Sequence, residues 1–228
     1  MFNNILFFGR YNCNYSDKLS KYLKKHSNNL IFIKSKKRNE KLKLKKIKNK
    51  KLDFIFCYRS FYILKKKLID QSKYGAINFH PGTPNFRGIG AVNFAILNQC
   101  SHYGSTAHYI NEKIDSGKII DVTKFQLRKK ESVDKVLSRT HQIMFKQAIK
   151  IFENLFKDKN YYLKKKSKYQ WSKKLYTIKD LEKLYEIKSL DNRVKLDRII
   201  QATYTKSFKP YLKINKRKFF LINFNENI

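Results

Sequence analysis

Short apolar runs alternate with amphipathic segments along the first 157 residues. The apolar runs predict strands over residues 4–8, 30–33, 52–58, 76–79, 104–111 and 117–125. The amphipathic segments predict helices over residues 16–25, 62–70 and 91–97, and a long helix that is capped by Ser132 and reaches about Phe156. Strands that alternate with helices favour an α/β fold with βαβ units and a mostly parallel sheet. In such sheets the functional residues lie at the carboxyl ends of the strands.

The pattern changes after residue 157. Residues 161–174 are polar and basic, and they precede two predicted helices (178–185 and 191–202) and a hairpin whose strands, 211–214 and 219–222, turn at residues 215–216. We therefore predict a Rossmann-like catalytic domain over residues 1–157 and a small α+β extension over residues 158–228.

The chain carries a large excess of positive charge, with 52 Lys and Arg against 17 Asp and Glu, a formal net charge of +35. Such an excess is typical of proteins that bind nucleic acid, anionic lipid or phosphorylated substrates. The abundance of Lys, Asn, Ile, Phe and Tyr is also typical of an A+T-rich genome. Because the lysines are spread along the chain, the charge alone identifies no partner, and the densest run, 34–51, is interpreted as a solvated helix or loop.

Cysteine spacing and hydropathy exclude several classes of protein. Cys13, Cys57 and Cys100 lie far apart, which favours neither a disulfide framework nor a zinc site. No apolar run is long enough to span a membrane, and the N-terminus lacks the basic region of a signal peptide. We expect a cytoplasmic protein with reduced thiols that neither binds a metal nor associates with a membrane.

The segment around residue 80 contains the highest density of residues with catalytic potential. Asn78 and His80 are two positions apart on a predicted strand, so their side chains point to the same side, and Pro81 begins an ordered loop that reaches Gly90. An amide that donates a hydrogen bond and an imidazole that moves protons are the groups that acyl transfer to an amine needs.

A second segment places an acid between two predicted strands. Asp115 lies in a tight Asp-Ser-Gly turn, downstream of Thr106 and His108. Asn-x-His and a turn Asp are each common in proteins, and neither pattern alone indicates a catalytic site.

Together the two segments resemble the folate-dependent formyltransferase family. The family pattern has Asn-x-His-Pro, Pro-x-x-Arg/Lys-Gly, Gly-x-Thr-x-His and Asp-x-Gly followed by a hydrophobic pair. This chain has the elements in that order, at residues 78–81, 84–88, 104–108 and 115–120. The resemblance extends upstream to residues 57–64 and spans roughly residues 53–124 strongly.

The resemblance implies a reaction and its residues. N10-formyltetrahydrofolate would donate a formyl group to a primary amine through a tetrahedral intermediate, with Asn78 stabilising the oxyanion and His80, positioned by Asp115, moving protons. No metal is implied, and His108 and Thr106 would support the loop. The implied cofactor-binding residues are Ser60, Phe61, Tyr62, Ile63, Leu64, Asn111 and Ile114, and Pro81, Arg87 and Gly88 are implied on the substrate side.

The tail favours one acceptor within the family. Trp171-Ser-Lys, the helix after Asp191 and Pro210 before a small hairpin are similar to the compact tail of sugar N-formyltransferases. The expected acceptor is therefore a dTDP- or UDP-linked deoxyaminosugar for surface polysaccharide such as O-antigen, with Arg87 and tail residues as candidates for its diphosphate and base. A homodimer is compatible with this tail.

Two alternatives remain. Methionyl-tRNA formyltransferases end in a β-barrel that grips tRNA, and the tail here is too short for that barrel. A non-catalytic basic RNA- or membrane-binding protein on the same fold would need none of Asn78, His80 and Asp115.

Overall fold

The structure is a computed structural model that describes residues 1–38, 40–42, 47, 50–188 and 192–222. Its strands are β1 (Phe2–Arg10), β2 (Ser27–Ser35), β3 (Phe54–Tyr58), β4 (Ala76–His80), β5 (Arg87–Gly88), β6 (His102–Tyr109), β7 (Ile119–Gln126), β8 (Leu175–Tyr176), β9 (Glu186–Ile187), β10 (Tyr211–Ile214) and β11 (Arg217–Phe220). Its helices are α1 (Asn14–Lys25), α2 (Lys66–Ile69), α3 (Ala91–Leu97), α4 (Val133–Lys157), α5 (Tyr161–Lys164), α6 (Ile178–Tyr185) and α7 (Arg193–Thr203).

Six strands form the central sheet in the order β2-β1-β3-β4-β6-β7. β1, β2, β3 and β4 are parallel, β6 is antiparallel to β4, and β7 is antiparallel to β6. The predicted α/β class with a mostly parallel sheet is therefore confirmed. Because β4 lies between β3 and β6, its side chains have neighbours on both sides.

Alternate residues of the central strands fill two apolar layers. Phe7 and Phe56 belong to the layer under α1 and α4, where they share a cluster with Phe152. Phe8 and Ile55 belong to the opposite layer, which includes residues of α2. Both faces of the sheet are therefore covered, which explains why every residue of β3 is apolar and buried.

The segment after α4 is fastened to the loop that follows β4. β5 in that loop pairs with β8. On α3, Asn93 donates from Nδ2 to the carbonyl oxygen of Ala202 on α7 at 2.7 Å, and Val92 and Ala202 share one apolar cluster. The boundary between catalytic domain and extension at residue 157, where α4 ends, stays a prediction.

Several predicted helices are confirmed. α3 and α6 have the predicted bounds, and α4 begins after Ser132, whose hydroxyl accepts the backbone N–H of Lys135 at 3.4 Å. This hydroxyl satisfies one of the N–H groups that the first helical turn leaves without a partner.

One helix is much shorter than predicted. The pattern predicts a helix over residues 62–70, but α2 occupies only Lys66–Ile69. Before α2 the chain is an irregular loop, held because the hydroxyl of Ser35 accepts the backbone N–H of Phe61 at 2.8 Å. Leu64 is buried against the sheet, so the apolar spacing arises from tertiary packing of the loop and not from a helical face.

The C-terminal hairpin is present, with a shifted second strand. Asn215 and Lys216 form the turn and have φ angles of 47° and 64°. Two left-handed residues connect antiparallel strands directly, so β11 begins at Arg217, two residues earlier than the pattern predicts.

Parts of two predictions lie outside the described residues. They are positions 39, 43–46, 48 and 49 of the lysine-rich run and Asp191 at the start of the predicted 191–202 helix. Across the described ranges, no helix has both the length and the apolar composition that crossing a bilayer demands.

We predict that Phe152 is essential for packing α4 on the sheet. Its ring centroid lies 4.6 Å from that of Phe56 and 5.8 Å from that of Phe79. The Phe152→Ala substitution should lower the free energy of unfolding by about 3–5 kcal/mol, because a cavity beneath a sheet relaxes only in part. Urea denaturation measures the loss.

Phe220→Ala is the matched control, since Phe220 on β11 is 57% exposed. It should cost less than about 1 kcal/mol. Equal losses in the two variants would mean that α4 does not pack as described.

Candidate active site

The carboxyl end of β4 carries two polar side chains that face β6. Asn78 is paired in register with His108, and His80 with Thr106. His80 and His108 are 4% and 3% exposed, so the polar groups lie beneath the surface of the sheet edge. Burial obliges them to find partners inside the protein.

Asp115 joins the two histidines. Its Oδ2 lies 3.2 Å from Nδ1 of His80, and its Oδ1 lies 3.3 Å from Nε2 of His108. Its Oδ2 also accepts the backbone N–H of Gly88 at 2.9 Å. Asp115 itself has a left-handed φ of 42° in the turn between β6 and β7, which aims its carboxylate back at β4.

Opposing effects act on the pKa of Asp115. Burial raises it, but His80, His108 and the N–H of Gly88 together outweigh burial and hold the pKa well below its ordinary value. The carboxylate is therefore ionised near neutral pH.

The ring protons of the two histidines are constrained by carbonyl groups. Nε2 of His80 lies 2.9 Å from the carbonyl oxygen of Phe86, and Nδ1 of His108 lies 2.8 Å from that of Tyr109. A carbonyl only accepts, so both of these nitrogens carry a proton. The remaining ring nitrogens, Nδ1 of His80 and Nε2 of His108, face Asp115. A ring that carries a proton on this nitrogen as well is positively charged, so its contact with the carboxylate is attractive.

Nε2 of His108 has two neighbours. Nδ2 of Asn78 lies 3.1 Å from this nitrogen, and Oδ1 of Asp115 lies 3.3 Å from it. A proton on Nε2 pairs it with Asp115, whereas without that proton it accepts an N–H of Asn78. The amide of Asn78 has a second N–H, which remains for a bound group.

Arg87 ties three segments together through backbone carbonyls. Its Nε donates to Asp115 at 2.6 Å, its Nη2 to Ile114 at 2.9 Å and its Nη1 to Ser172 at 3.1 Å. Next to it, Gly88 has φ of 88°, and a side chain there would collide with the carbonyl of Tyr176. The proposed contact of Arg87 with substrate stays a prediction, since these bonds already use three of its five N–H donors.

The indole ring of Trp171, which lies in the segment after α4, packs edge-on against the two histidines. Its ring centroid lies 5.0 Å from that of His108 and 6.0 Å from that of His80, both edge-on. Its Nε1 donates to the carbonyl oxygen of Gly117 at 2.7 Å. A residue of the predicted extension therefore forms one wall of the site.

The predicted cofactor residues occupy two loops. Leu64, between β3 and α2, and Ile110, before Asn111, share one apolar cluster, so the loops lie close together. Ile63 and Ile114 are 71% and 46% exposed and supply apolar surface at this edge. The other predicted residues are held by local contacts: Ser60 accepts the N–H of Tyr62, Phe61 lies under Arg10, and Asn111 accepts the Ser116 hydroxyl.

A cleft of about 550 Å³ adjoins the outer side of the Pro81–Gly90 loop. Pro81 itself accepts the hydroxyl of Tyr103 at 2.6 Å. The residues that line the cleft are Thr83, Pro84, Asn85, Phe86, Cys100, Ser101, His102, Lys124, Tyr169 and Gln170. Tyr169 and Gln170 immediately precede Trp171, so the cleft borders the candidate site.

Sequence reasoning missed the central position of two residues. His108 was expected only to support a loop, whereas it contacts both Asn78 and Asp115. The alternation of Thr106 and His108 along β6 was a signal for a shared face. Trp171 has no local pattern that indicates contact with His80, because the contact depends on how the tail folds back.

The fold and the site together define a class of protein, the α/β proteins with a proton-transfer site at the carboxyl end of a central strand. The sheet is covered on both faces, and a buried carboxylate lies between two imidazoles at the carboxyl end of β4. This arrangement is suited to moving protons beside an amide donor. Among the described residues, no group of three or more His, Cys, Asp or Glu side chains could hold a metal ion.

The particular family follows from comparison with known proteins. The family model described as formyl transferase matches residues 12–151, more than half of the chain. The chain belongs to the formyl transferase family.

The curated relatives match less than half of the chain. The methionyl-tRNA formyltransferase of Fusobacterium nucleatum subsp. nucleatum is 34% identical over 95 residues, which cover 41% of this chain and 31% of the relative. The chain spans about a third of the length of the curated relatives it matches.

Solved structures match over greater lengths at lower identity. A 4-N formyltransferase from Francisella tularensis superposes with a TM-score of 0.78 over 96% of each chain, at 20% identity. A formyltransferase from Anoxybacillus kamchatkensis, solved with UDP-4,6-dideoxy-4-formamido-L-AltNAc and tetrahydrofolate, superposes with a TM-score of 0.60 over 79% of this chain and 88% of that one, at 22% identity. These similarities establish a shared fold.

We predict that Arg87 fixes Trp171 over the histidines. Arg87→Met removes the bond to Ser172, which adjoins Trp171, so the indole should become more accessible to water. Because Trp171 is the single tryptophan, a red shift of its emission and stronger acrylamide quenching measure this directly. Arg217→Met, on exposed β11, should change neither, and unchanged emission in Arg87→Met would contradict the described contacts.

We predict that Asp115 stabilises the fold in a pH-dependent way. Its folded pKa lies below the unfolded value of about 3.9, so its contribution is fully present above about pH 4 and is lost as the pH falls further. Asp115→Asn should lower the free energy of unfolding at pH 7 by roughly 1.5–3 kcal/mol.

Urea denaturation of wild type and variant at pH 7, 4 and 3 tests this dependence. The difference between the two proteins should shrink from pH 4 to pH 3, and Asp197→Asn, at an exposed position of α7, serves as the control. A difference that stays constant down to pH 3 would argue against the lowered pKa.

Proposed function

We propose that this chain is a folate-dependent N-formyltransferase that transfers a formyl group from N10-formyltetrahydrofolate to the amine of a nucleotide-linked deoxyaminosugar. The observation that carries the proposal is the buried group of Asn78, His80, His108 and Asp115 at the carboxyl end of β4 in a chain of the formyl transferase family.

Asn78 is the proposed oxyanion donor. One N–H of its amide is directed to His108, which fixes the side chain, and the other is free for a developing negative charge. One well-placed donor of this kind typically lowers a barrier by about 3 kcal/mol.

His80 and Asp115 are the proposed route for protons. An amine that attacks a formyl carbon must lose a proton, and the nitrogen that leaves must gain one. A proton held between Nδ1 of His80 and Oδ2 of Asp115 sits in a pair that can release and recover it. The N–H of Gly88 holds the carboxylate of Asp115, and Arg87 holds the backbone carbonyl of the same residue.

The co-substrate would supply the formyl group at its N10 atom. The loops that contain Ile63 and Ile114 fit an aromatic pterin, because they offer exposed apolar side chains next to the polar backbone of a sheet edge. Ser60 and Asn111 would orient its polar atoms. These assignments, with Phe61, Tyr62 and Leu64 as supporting residues, are part of the proposal.

The similarity in fold supports an aminosugar as the acceptor. The Anoxybacillus kamchatkensis formyltransferase, which superposes over 79% of this chain, was solved with UDP-4,6-dideoxy-4-formamido-L-AltNAc and tetrahydrofolate. We propose a dTDP- or UDP-linked sugar used for surface polysaccharide, in a cytoplasmic reaction. Pro81 and Gly88 would shape the acceptor side, and a homodimer is compatible with the proposal.

Methionyl-tRNA is the second candidate acceptor. The identity of 34% over 95 residues with the Fusobacterium enzyme and the charge of +35 both favour it. The matched segment, however, covers less than half of this chain.

We predict formylation of one acceptor from a defined panel. Purified protein is incubated with N10-formyltetrahydrofolate and dTDP- or UDP-linked 3-amino and 4-amino deoxysugars, methionyl-tRNA or glycinamide ribonucleotide, and the products are analysed by mass spectrometry. Asn78→Ala should lower kcat about 10²–10³-fold, because it removes the oxyanion donor.

Asn98→Ala, at an exposed position after α3, is the matched control and should retain activity. Formylation of methionyl-tRNA but of no sugar nucleotide would replace the proposed acceptor. Activity that survives in both Asn78→Ala and His80→Ala would contradict the proposed catalytic group.

A further inference from the structure

Three arginines lie at the carboxyl ends of three neighbouring parallel strands, away from the candidate catalytic group. Arg10 is the last residue of β1, Arg59 directly follows β3, and Arg38 lies three residues after β2. The strands are adjacent in the order β2-β1-β3, so the three side chains start from one edge of the sheet. This is the edge where open α/β sheets bind ligands.

One aromatic ring brings two of these guanidinium groups together. The guanidinium carbon of Arg10 lies 4.2 Å from the ring centroid of Phe61, and that of Arg38 lies 5.4 Å from the same centroid. The loop that carries Phe61 is itself fixed by the bond from its N–H to Ser35 at the end of β2. The arginine cluster is defined as Arg10, Arg38 and Arg59, and the ring of Phe61 positions its first two members.

The cluster has no acidic counterpart among the residues that the structure describes. None of the ion pairs there involves Arg10, Arg38 or Arg59. Each guanidinium has five N–H donors, and the hydrogen bond that Arg59 makes goes to a weak acceptor, Sγ of Cys13, at 3.4 Å.

The positive charges of the cluster also lower the pKa values of neighbouring groups. Burial and then the charge of Arg59, with a smaller effect of Arg38, lower the pKa of Arg10. Burial together with Arg59 and Arg10 lowers the pKa of His141 to about 3. Like charges held together in a partly buried position are unfavourable unless an anion joins them.

The backbone at this edge is also adapted to the cluster. Arg59 has a left-handed φ of 55°, a conformation that is uncommon for a residue other than Gly, Asn or Asp and that occurs often at ligand sites. It turns the chain away from β3 and leaves the Arg59 guanidinium beside Cys13, which precedes the first turn of α1.

We propose that the arginine cluster is an anion subsite that binds the phosphate groups of the acceptor. The inference rests on the proposed function for the identity of the acceptor, whereas the subsite itself rests on the cluster. Guanidinium groups bind phosphate oxygens through paired, charge-assisted hydrogen bonds, and three of them match a diphosphate better than a single carboxylate.

The position of the subsite suits a substrate that reaches the catalytic group. β1 and β4 are separated by β3 alone, and strands are about 4.8 Å apart, so the carboxyl ends of β1 and β4 are roughly 10 Å apart. A sugar ring with its phosphate link spans such a gap. Arg87 donates its hydrogen bonds to backbone carbonyls, so it is then not needed to bind the diphosphate.

Inorganic pyrophosphate is the probe that tests the subsite without catalysis. Isothermal titration calorimetry at constant ionic strength should detect one site in the wild-type protein. Arg10→Gln and Arg59→Gln should each weaken pyrophosphate binding about tenfold or more, which corresponds to the loss of charge-assisted hydrogen bonds. Arg38→Gln, at an exposed position, tests the cluster without risk to folding and should weaken binding as well.

Arg217→Gln removes the same charge from exposed β11 and should leave pyrophosphate binding unchanged within about twofold, since exposed distant charges contribute little. Equal weakening by Arg217→Gln would reduce the effect to the general attraction of a +35 chain and overturn the proposal. Binding that is unaffected by Arg38→Gln, Arg10→Gln and Arg59→Gln would overturn it too.

The kinetics of Arg38→Gln then identify the co-substrate that uses the subsite. The KM for the nucleotide sugar should rise severalfold while the KM for N10-formyltetrahydrofolate stays unchanged. A rise only in the KM for the folate would assign the cluster to its glutamate carboxylates and overturn the phosphate assignment. Cluster-dependent pyrophosphate binding without formylation of any sugar would refute the proposed function and leave the subsite standing.

Discussion

The carboxylate of Asp115 is the group on which the candidate site depends. It lies on a turn with a left-handed backbone, yet it reaches His80 on β4, His108 on β6 and the N–H of Gly88 in the loop after β4. Burying a carboxylate is costly unless it is paired and hydrogen-bonded. The two histidines and the N–H supply that pairing, so the ionised carboxylate holds three separate segments in one arrangement.

The C-terminal segment packs against the candidate site. Arg87 donates to the carbonyl of Asp115 and to that of Ser172, while Trp171 lies edge-on to both imidazoles. β5 and β8 pair next to these contacts. Trp171 and Ser172 therefore border the candidate site, and a change in how this segment folds would alter the surroundings of the candidate catalytic group.

Hydrophobic periodicity predicts much of the fold, because the helices and strands of this protein bury their apolar side chains in the core. α3 and α4 were predicted well because their apolar faces meet the sheet. The 62–70 helix was predicted wrongly because Leu64 is buried by a loop. Local pattern alone does not distinguish a helical face from a packed loop.

The candidate site was predictable in part for a similar reason. Asn78 and His80 share a strand, and their alternation places them on one side. The contacts of His108 with Asp115 and of Trp171 with His80 depend on β6 running antiparallel to β4 and on the tail returning to the sheet. The arginine cluster is not recognisable in the sequence, because its members lie at or after the ends of three separate strands.

The most direct test of the central claim is the ionisation of Asp115 itself. With ¹³C-labelled aspartate and Asp115→Asn for assignment, the side-chain carboxyl shift of Asp115 can be followed by NMR from pH 7 downward. An ionised carboxylate that organises two histidines predicts no titration step down to about pH 3, below the ordinary value near 3.9. A step at or above pH 4 would contradict the account, because Asp115 would then not hold the site together as a charged group.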